Sequence, residues 1–219
     1  MPLRVVEVRQ RLQDAYGDLQ WWPAESAFEV MVGAVLTQNT SWTNVERAIA
    51  NLRAADVLDP EALLELPHET LAEHIRPSGY FNVKAERLRH LLRFLEQQGG
   101  VEALARMETE ALRSALLGVK GVGPETADDI VLYAFERPVF VVDAYTRRLF
   151  ERLGLPHARG SYDDLRAWVE SELGPDAQAF NDLHALIVEH GKQRCRPKPL
   201  CQECPLSDAC PGREDPEKR

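Results

Sequence analysis

Cys195, Cys201, Cys204 and Cys210 are the only four cysteines in this chain of 219 residues. Their spacing is C-x5-C-x2-C-x5-C, between His190-Gly191-Lys192 and Pro211. Thiolates held this close in a short, loop-rich tail suit one soft metal centre. Zinc is one acceptable occupant, but zinc sites usually show a pair of C-x2-C units. This tail has one. Arg194, Arg196 and Lys198 make the first cysteine loop basic, which suits contact with phosphate. A solvated run of charge is the plainer alternative.

A second chemical candidate lies upstream in Leu117-Gly118-Val119-Lys120-Gly121-Val122-Gly123-Pro124-Glu125-Thr126-Ala127. It reads as a tight turn opening a helix. Glycine at 121 and 123 permits positive φ and close approach of backbone to a phosphate. Pro124 fits the first helical turn, where its missing N–H costs nothing. The free amides around Gly121, Val122 and Gly123 could then bind a nucleic-acid phosphate without reading sequence. Alone, this would be an ordinary corner between two helices. The stretch Pro138-Val139-Phe140-Val141-Val142-Asp143-Ala144 changes the balance. It puts a carboxylate, Asp143, at a helix start just after an apolar run. A lone N-cap aspartate is common; one placed so soon after a glycine hairpin is not.

Elements that position these groups are read from periodicity. Helices are expected over Val5–Tyr16, Ala27–Val35, Thr43–Arg53, Pro60–Leu66, Glu69–Ile75, Asn82–Gln97, Val101–Ala105, Thr109–Leu117, Pro124–Ala134, Asp143–Leu153, Tyr162–Leu173 and Ala177–His190. Gly99-Gly100, Gly118, Gly154 and Gly174-Pro175 are stop signals. Pro138 to Val142 is the only strand-like run and is too short for a sheet. The fold class is therefore all-α. With 44% hydrophobic and 28% charged residues the composition is that of a globular protein, with length for one large or two small domains. No apolar run approaches the ~20 residues of a bilayer span, and Met1-Pro2-Leu3-Arg4 shows no signal-peptide core. We expect a cytoplasmic, nucleoid-associated protein whose thiols hold metal rather than form disulfides. A net charge of −9 argues against indiscriminate nucleic-acid binding. Gly212 to Arg219 is charged and expected to fray.

Three blocks together resemble the helix-hairpin-helix DNA glycosylase superfamily, in its endonuclease III-like branch: Leu36-Thr37-Gln38-Asn39-Thr40, the hairpin with Asp143, and the cysteine tail. The resemblance runs from about Ala27 to Cys210. It implies an all-α, two-domain fold. A six-helix barrel domain over 26–137 would carry the hairpin. Residues 1–25 and 138–219 would form the iron–sulfur cluster domain, with the four cysteines on a 4Fe-4S cluster and Asp143 at the cleft. It also implies base excision repair of double-stranded DNA containing a damaged base, by a monomer, with no membrane. The damaged nucleotide must be flipped out, and Gln38 matches the residue that fills the gap left in the stack.

The sequence departs from that pattern in places. Bifunctional members carry a lysine where this chain has Glu125, and a carboxylate cannot form a Schiff base with the sugar. Lys120 precedes the turn. The implied reaction is hydrolysis of the N-glycosidic bond by water, with Asp143 stabilising the oxocarbenium-like sugar, orienting water, or both; AP-lyase activity is not expected. The first cysteine gap is one residue shorter than the usual six, a difference Arg196-Pro197-Lys198-Pro199-Leu200 should absorb.

For the base, Trp21-Trp22-Pro23 and Trp42 are candidate pocket aromatics, although an adjacent tryptophan pair is often only packing. Indole faces bind cations, and N-alkylated purines are cationic with weakened glycosidic bonds. The Trp-Trp-Pro, Leu-Thr-Gln-Asn-Thr and Gly-Pro-Glu-Thr-Ala segments are similar to the 3-methyladenine glycosylase subgroup. In that subgroup some members place a lysine in the pocket, which Lys192 matches; Glu125 would stand near the same pocket. The alternatives are a monofunctional glycosylase for mismatched thymine or oxidised pyrimidines, and a catalytically silent DNA-binding or electron-transfer iron–sulfur protein.

Overall fold

The computed structural model describes residues 3–19 and 21–213. Of the charged tail, residues 214–219 lie outside the described residues. The chain divides into two compact units: Met1–Trp21 with Pro138–Arg219, and Trp22–Arg137.

The chain enters the first unit through α1 (Val5–Tyr16). Its Val5, Val8 and Leu12 form a buried stripe at helical spacing. The Glu7 carboxylate accepts the Arg4 N–H at 2.7 Å and so caps its start.

The second unit is built around α2 (Ala27–Leu36), in which every residue from Phe28 to Leu36 is buried. A helix apolar on all sides belongs at the centre of a bundle. Ser26 starts it by accepting the Glu29 N–H at 3.1 Å. Against it pack α3 (Trp42–Ala54), α6 (Phe81–Gln98) and α9 (Pro124–Asp129), while α4 (Pro60–Glu65), α5 (His68–His74) and α7 (Val101–Ala105) pack on α6 and α8 (Thr109–Leu117) on α9. Helix α6 is amphipathic and buries Leu88, Leu91, Leu92 and Leu95. It also buries Lys84. The ammonium donates to the Leu36 carbonyl at 2.8 Å and the Ser78 carbonyl at 2.6 Å. It thereby holds the C-terminal end of α2, where free carbonyls favour a cation. The expected helix Pro124–Ala134 divides: α-helical geometry stops at Asp129 and a π-helical turn covers Ile130–Ala134. Propensity and periodicity do not distinguish that wider turn from α-helix.

Chain 138–142 then re-enters the first unit, extended but not paired into a sheet; no strand occurs among the described residues. Side chains satisfy its amides instead. Phe140 N donates to Glu170 Oε1 at 2.9 Å and Val142 N to the Tyr162 hydroxyl at 3.2 Å. Helices α10 (Ala144–Leu153), α11 (Tyr162–Leu173) and α12 (Ala177–Gln193) complete the unit. Helix α12 packs against α1, α10 and α11 through an almost wholly buried run from Leu183 to Val188. It extends past the expected His190 end and delivers the chain into the cysteine loops. No described helix is long and apolar enough to cross a membrane.

Candidate functional site

Asp143 is the N-cap of α10, and its Oδ1 accepts the Thr146 N–H at 2.7 Å. The extended, buried run Val139–Val142 carries it there. Its side chain is 12% exposed, and Oδ2 lies 3.6 Å from His184 Nε2 on α12. Burial alone would push this carboxyl up. The facing His184 and the Thr146 N–H outweigh it and hold Asp143 below the usual carboxylate range. A carboxylate so held is anionic at neutral pH and suited to facing a developing cation.

The hairpin is shaped by one glycine rather than two. Val122 N donates to the Val119 carbonyl at 3.0 Å, closing the turn, while Val119 and Val122 are buried. Gly121 has φ +94, and a Cβ there would collide with the stem of Arg87, reaching 3.0 Å from its Cδ. Gly123 departs from expectation: its φ is −96 with ψ 179, an extended conformation open to any residue. A Cβ there meets nothing within 4 Å. Nothing within this unit therefore demands glycine at 123, because the turn reverses at 121. Pro124 sits in the first turn of α9 as expected, followed by exposed Glu125. Lys120 points its ammonium at Glu86 Oε1, 3.2 Å away on α6.

Gln38, just beyond α2, is tied into this hairpin. Its Nε2 donates to the Gly121 carbonyl at 3.1 Å and to Thr126 Oγ1 at 2.9 Å, and its Oε1 accepts from Arg87 Nη1. Filling a gap in a duplex would require these bonds to break. The structure thus joins the Gln38 loop, the hairpin and α6 in one network.

The aromatic candidates fall into two groups. Trp22 stacks on Tyr133 of the π turn at 4.9 Å and 19°, and meets Trp42 at 5.0 Å and 60°. Gly33 of α2 lies against Trp22, where a Cβ would sit at 3.4 Å from its ring, an ordinary contact distance. In the other unit, Trp21 meets His184 edge-on at 6.3 Å, and Lys192 Nζ lies 5.2 Å from the Trp21 ring centroid.

Cys195, Cys201, Cys204 and Cys210 line one cavity, with Leu149, Leu153, Pro199 and Leu206 among its other walls. Burial raises the Cys204 and Cys210 thiols, and mutual charge with neighbouring cysteines raises them further. Crowded thiols in an apolar wall, reluctant to ionise alone, are a donor set whose thiolate form a cationic metal centre would stabilise. Polar support surrounds them: Arg152 Nη1 is 3.2 Å from Cys195 Sγ, and His190 Nε2 is 3.7 Å from Cys204 Sγ. The four cysteines around this cavity thus present the donor set of a thiolate-held metal centre. Among the described residues, no three His, Cys, Asp or Glu side chains meet closely enough to hold a single ion. Of the basic residues on this loop, Arg194 is paired with Glu203 at 2.8 Å and Arg196 Nε donates to the Lys192 carbonyl at 2.7 Å. Lys198 is exposed.

Residues 32–175 match the HhH-GPD superfamily base excision DNA repair protein family. This chain belongs to that superfamily. Within it the HhH-GPD protein falls in the endonuclease III-like branch. It is 46% identical to a Methanocaldococcus jannaschii protein provisionally named a DNA repair glycosylase, over 94% of this chain and 95% of that one. It is 30% identical to Escherichia coli endonuclease III, over 86% and 85% of the two chains. Among solved structures it resembles H. pylori 3-methyladenine DNA glycosylase bound to 1,N6-ethenoadenine. The TM-score is 0.76 at 31% identity, over 87% of this chain and 98% of that one. An endonuclease III–DNA complex superposes with a TM-score of 0.81 at 22% identity, covering 96% of each chain, which establishes the shared fold.

Several of the contacts made within each unit of this HhH-GPD protein were not visible in the sequence. His184, Arg87, Lys84 and Tyr133 all lie far along the chain from the groups they touch. A polar residue on an otherwise apolar helix face was the available signal for His184 and Lys84. None existed for Arg87, which reads as one more surface charge on α6.

Proposed function

We propose that this protein is a monofunctional DNA glycosylase that hydrolyses the N-glycosidic bond of an alkylated purine, with 3-methyladenine the first candidate. The observation that carries the hydrolytic half is Glu125. It occupies the first turn of α9 where bifunctional relatives place their Schiff-base lysine, and the nearby amine, Lys120, is directed to Glu86. Asp143 would supply the negative charge facing the oxocarbenium-like sugar and help orient the attacking water. The hairpin amides at Gly121, Val122 and Gly123 would hold a phosphate, with Arg194, Arg196 and Lys198 as further contacts. Gln38 would leave its network to fill the vacated stack.

The alkylated-purine half is supported by the aromatic set Trp21, Trp22 and Trp42 and by the resemblance to the H. pylori enzyme, which was solved with a modified adenine. One observation favours a neutral base instead. Lys192 already places an ammonium over Trp21, and a second cation would meet its charge. On that reading mismatched thymine or an oxidised pyrimidine is the substrate.

Cys195, Cys201, Cys204 and Cys210 would hold a 4Fe-4S cluster, which when bound cross-links the C-terminal loops. The single C-x2-C pair among four cysteines lining one cavity supports this over a lone zinc, whose sites usually show two such pairs. The test is a duplex carrying 3-methyladenine, followed for released base and for strand breaks. Free base with the abasic strand intact until alkali is expected. Strand scission concurrent with base release would overturn the monofunctional assignment.

A further inference from the structure

Asp143 commits one carboxylate oxygen to its own helix. Oδ1 accepts the Thr146 N–H at 2.7 Å, leaving Oδ2 as the oxygen free to face a substrate. Beside Oδ2, at 3.6 Å, stands His184 Nε2. That is ion-pair rather than hydrogen-bond distance, and contacts of catalytic groups often tighten only once substrate is engaged. The imidazole has little room to turn. Trp21 meets it edge-on at 6.3 Å and 87°, Phe140 at 6.4 Å and 88°, and the residue is 4% exposed. Phe140 is itself fixed edge-on against Phe180. Two aromatic walls thus set the ring plane, and the ring plane sets the direction of Nε2.

We infer that His184 is a positioning residue for the glycosylase reaction, fixing the orientation of Asp143 Oδ2 through its Nε2. The inference rests on the assignment of Asp143 as the catalytic carboxylate. A carboxylate anchored by one oxygen still swings its other oxygen about the Cβ–Cγ bond, and a buried one needs a polar neighbour. An N–H at His184 Nε2 directed toward Oδ2 supplies that neighbour. If His184 were only a packed ring, another ring of similar size would serve equally well. The two roles therefore make opposite demands on a replacement.

The experiment compares His184→Phe, which keeps a ring between Trp21 and Phe140, with His184→Gln, which keeps an amide N–H at similar reach. Single-turnover base release, affinity for lesion-bearing duplex and melting temperature are measured, with wild type and Asp143→Asn in parallel. A 1 Å misplacement of a catalytic group costs on the order of 10²-fold, so His184→Phe should slow base release by about 10–100-fold, with duplex affinity within about twofold. His184→Gln should recover to within about fivefold of wild type. Should His184→Phe not fold, His184→Asn takes its place, because its shorter amide falls short of Oδ2. Wild-type rates in His184→Phe, or a His184→Gln as slow as His184→Phe, overturn the positioning role while Asp143 keeps its assignment. Wild-type rates in Asp143→Asn would instead remove the assignment on which the inference stands.

Discussion

Replacing Gly121 and Gly123 separately by alanine should split the hairpin's structural demand from its binding demand. At Gly121 the φ of +94 places alanine in the left-handed half of the map, at about 1–2 kcal/mol. The new methyl also drives into the Arg87 stem. Moving Arg87 breaks its bond to Gln38 Oε1, a further ~1 kcal/mol for a partly buried hydrogen bond. The total of about 2–3 kcal/mol corresponds to a melting temperature lower by roughly 5–10 °C for a protein of this length. At Gly123 the φ of −96 and the open surroundings suit alanine. There the variant should gain about 0.4–1 kcal/mol through a less flexible unfolded chain. If the open face of Gly123 receives a DNA phosphate, the methyl occupies that approach. Loss of one charge-assisted bond of about 1.5 kcal/mol or more weakens duplex affinity by at least about tenfold. Thermal melts of both variants and fluorescence anisotropy with a lesion-bearing duplex check this. Equal melting temperatures for the two variants, or wild-type DNA affinity in Gly123→Ala, would refute the reasoning.

Three further outcomes are expected. Asp143→Asn should lose on the order of 10²–10³ in single-turnover excision while keeping DNA affinity; near-wild-type excision would contradict its role. Borohydride added during turnover should trap no enzyme–DNA adduct, since Glu125 cannot form an imine, and an adduct surviving Lys120→Ala would show another amine at work. The Lys84 ammonium is pushed down to about 8 by burial, with the Arg87 charge adding to it. The unfolded chain keeps that proton to about 10.4. Between these values the unfolded state binds more protons, so stability should rise with pH relative to Lys84→Met; parallel stability–pH curves for the two proteins would contradict this.

Local signals carried most of what the sequence revealed. Helix α1 falls at the expected bounds because its apolar spacing and flanking glycine act within a few residues, and Asp143 caps α10 because capping is a three-residue geometry. Pairings between distant segments were not legible. The Val139–Val142 run resembles a strand, yet Glu170 and Tyr162 take the amides a neighbouring strand would have taken. Gly123 carries no positive φ because Gly121 alone makes the reversal. Gln38 was marked by family pattern as a residue facing DNA, and its three partners inside the protein come from α6, the hairpin and α9. Trp22 was a candidate for stacking a base, and its neighbours Tyr133 and Trp42 emerge only when the π turn and α3 are folded against α2.

The central claim concerns the substrate, and one panel addresses it directly. Duplexes carrying 3-methyladenine, thymine glycol or thymine opposite guanine are incubated with excess iron-loaded protein, and released base is quantified over time. The account predicts that 3-methyladenine is released fastest, with a further loss when Trp21, Trp22 or Trp42 is replaced by leucine. Faster release of thymine glycol or mismatched thymine, or an alkylbase rate indifferent to all three tryptophans, would contradict it.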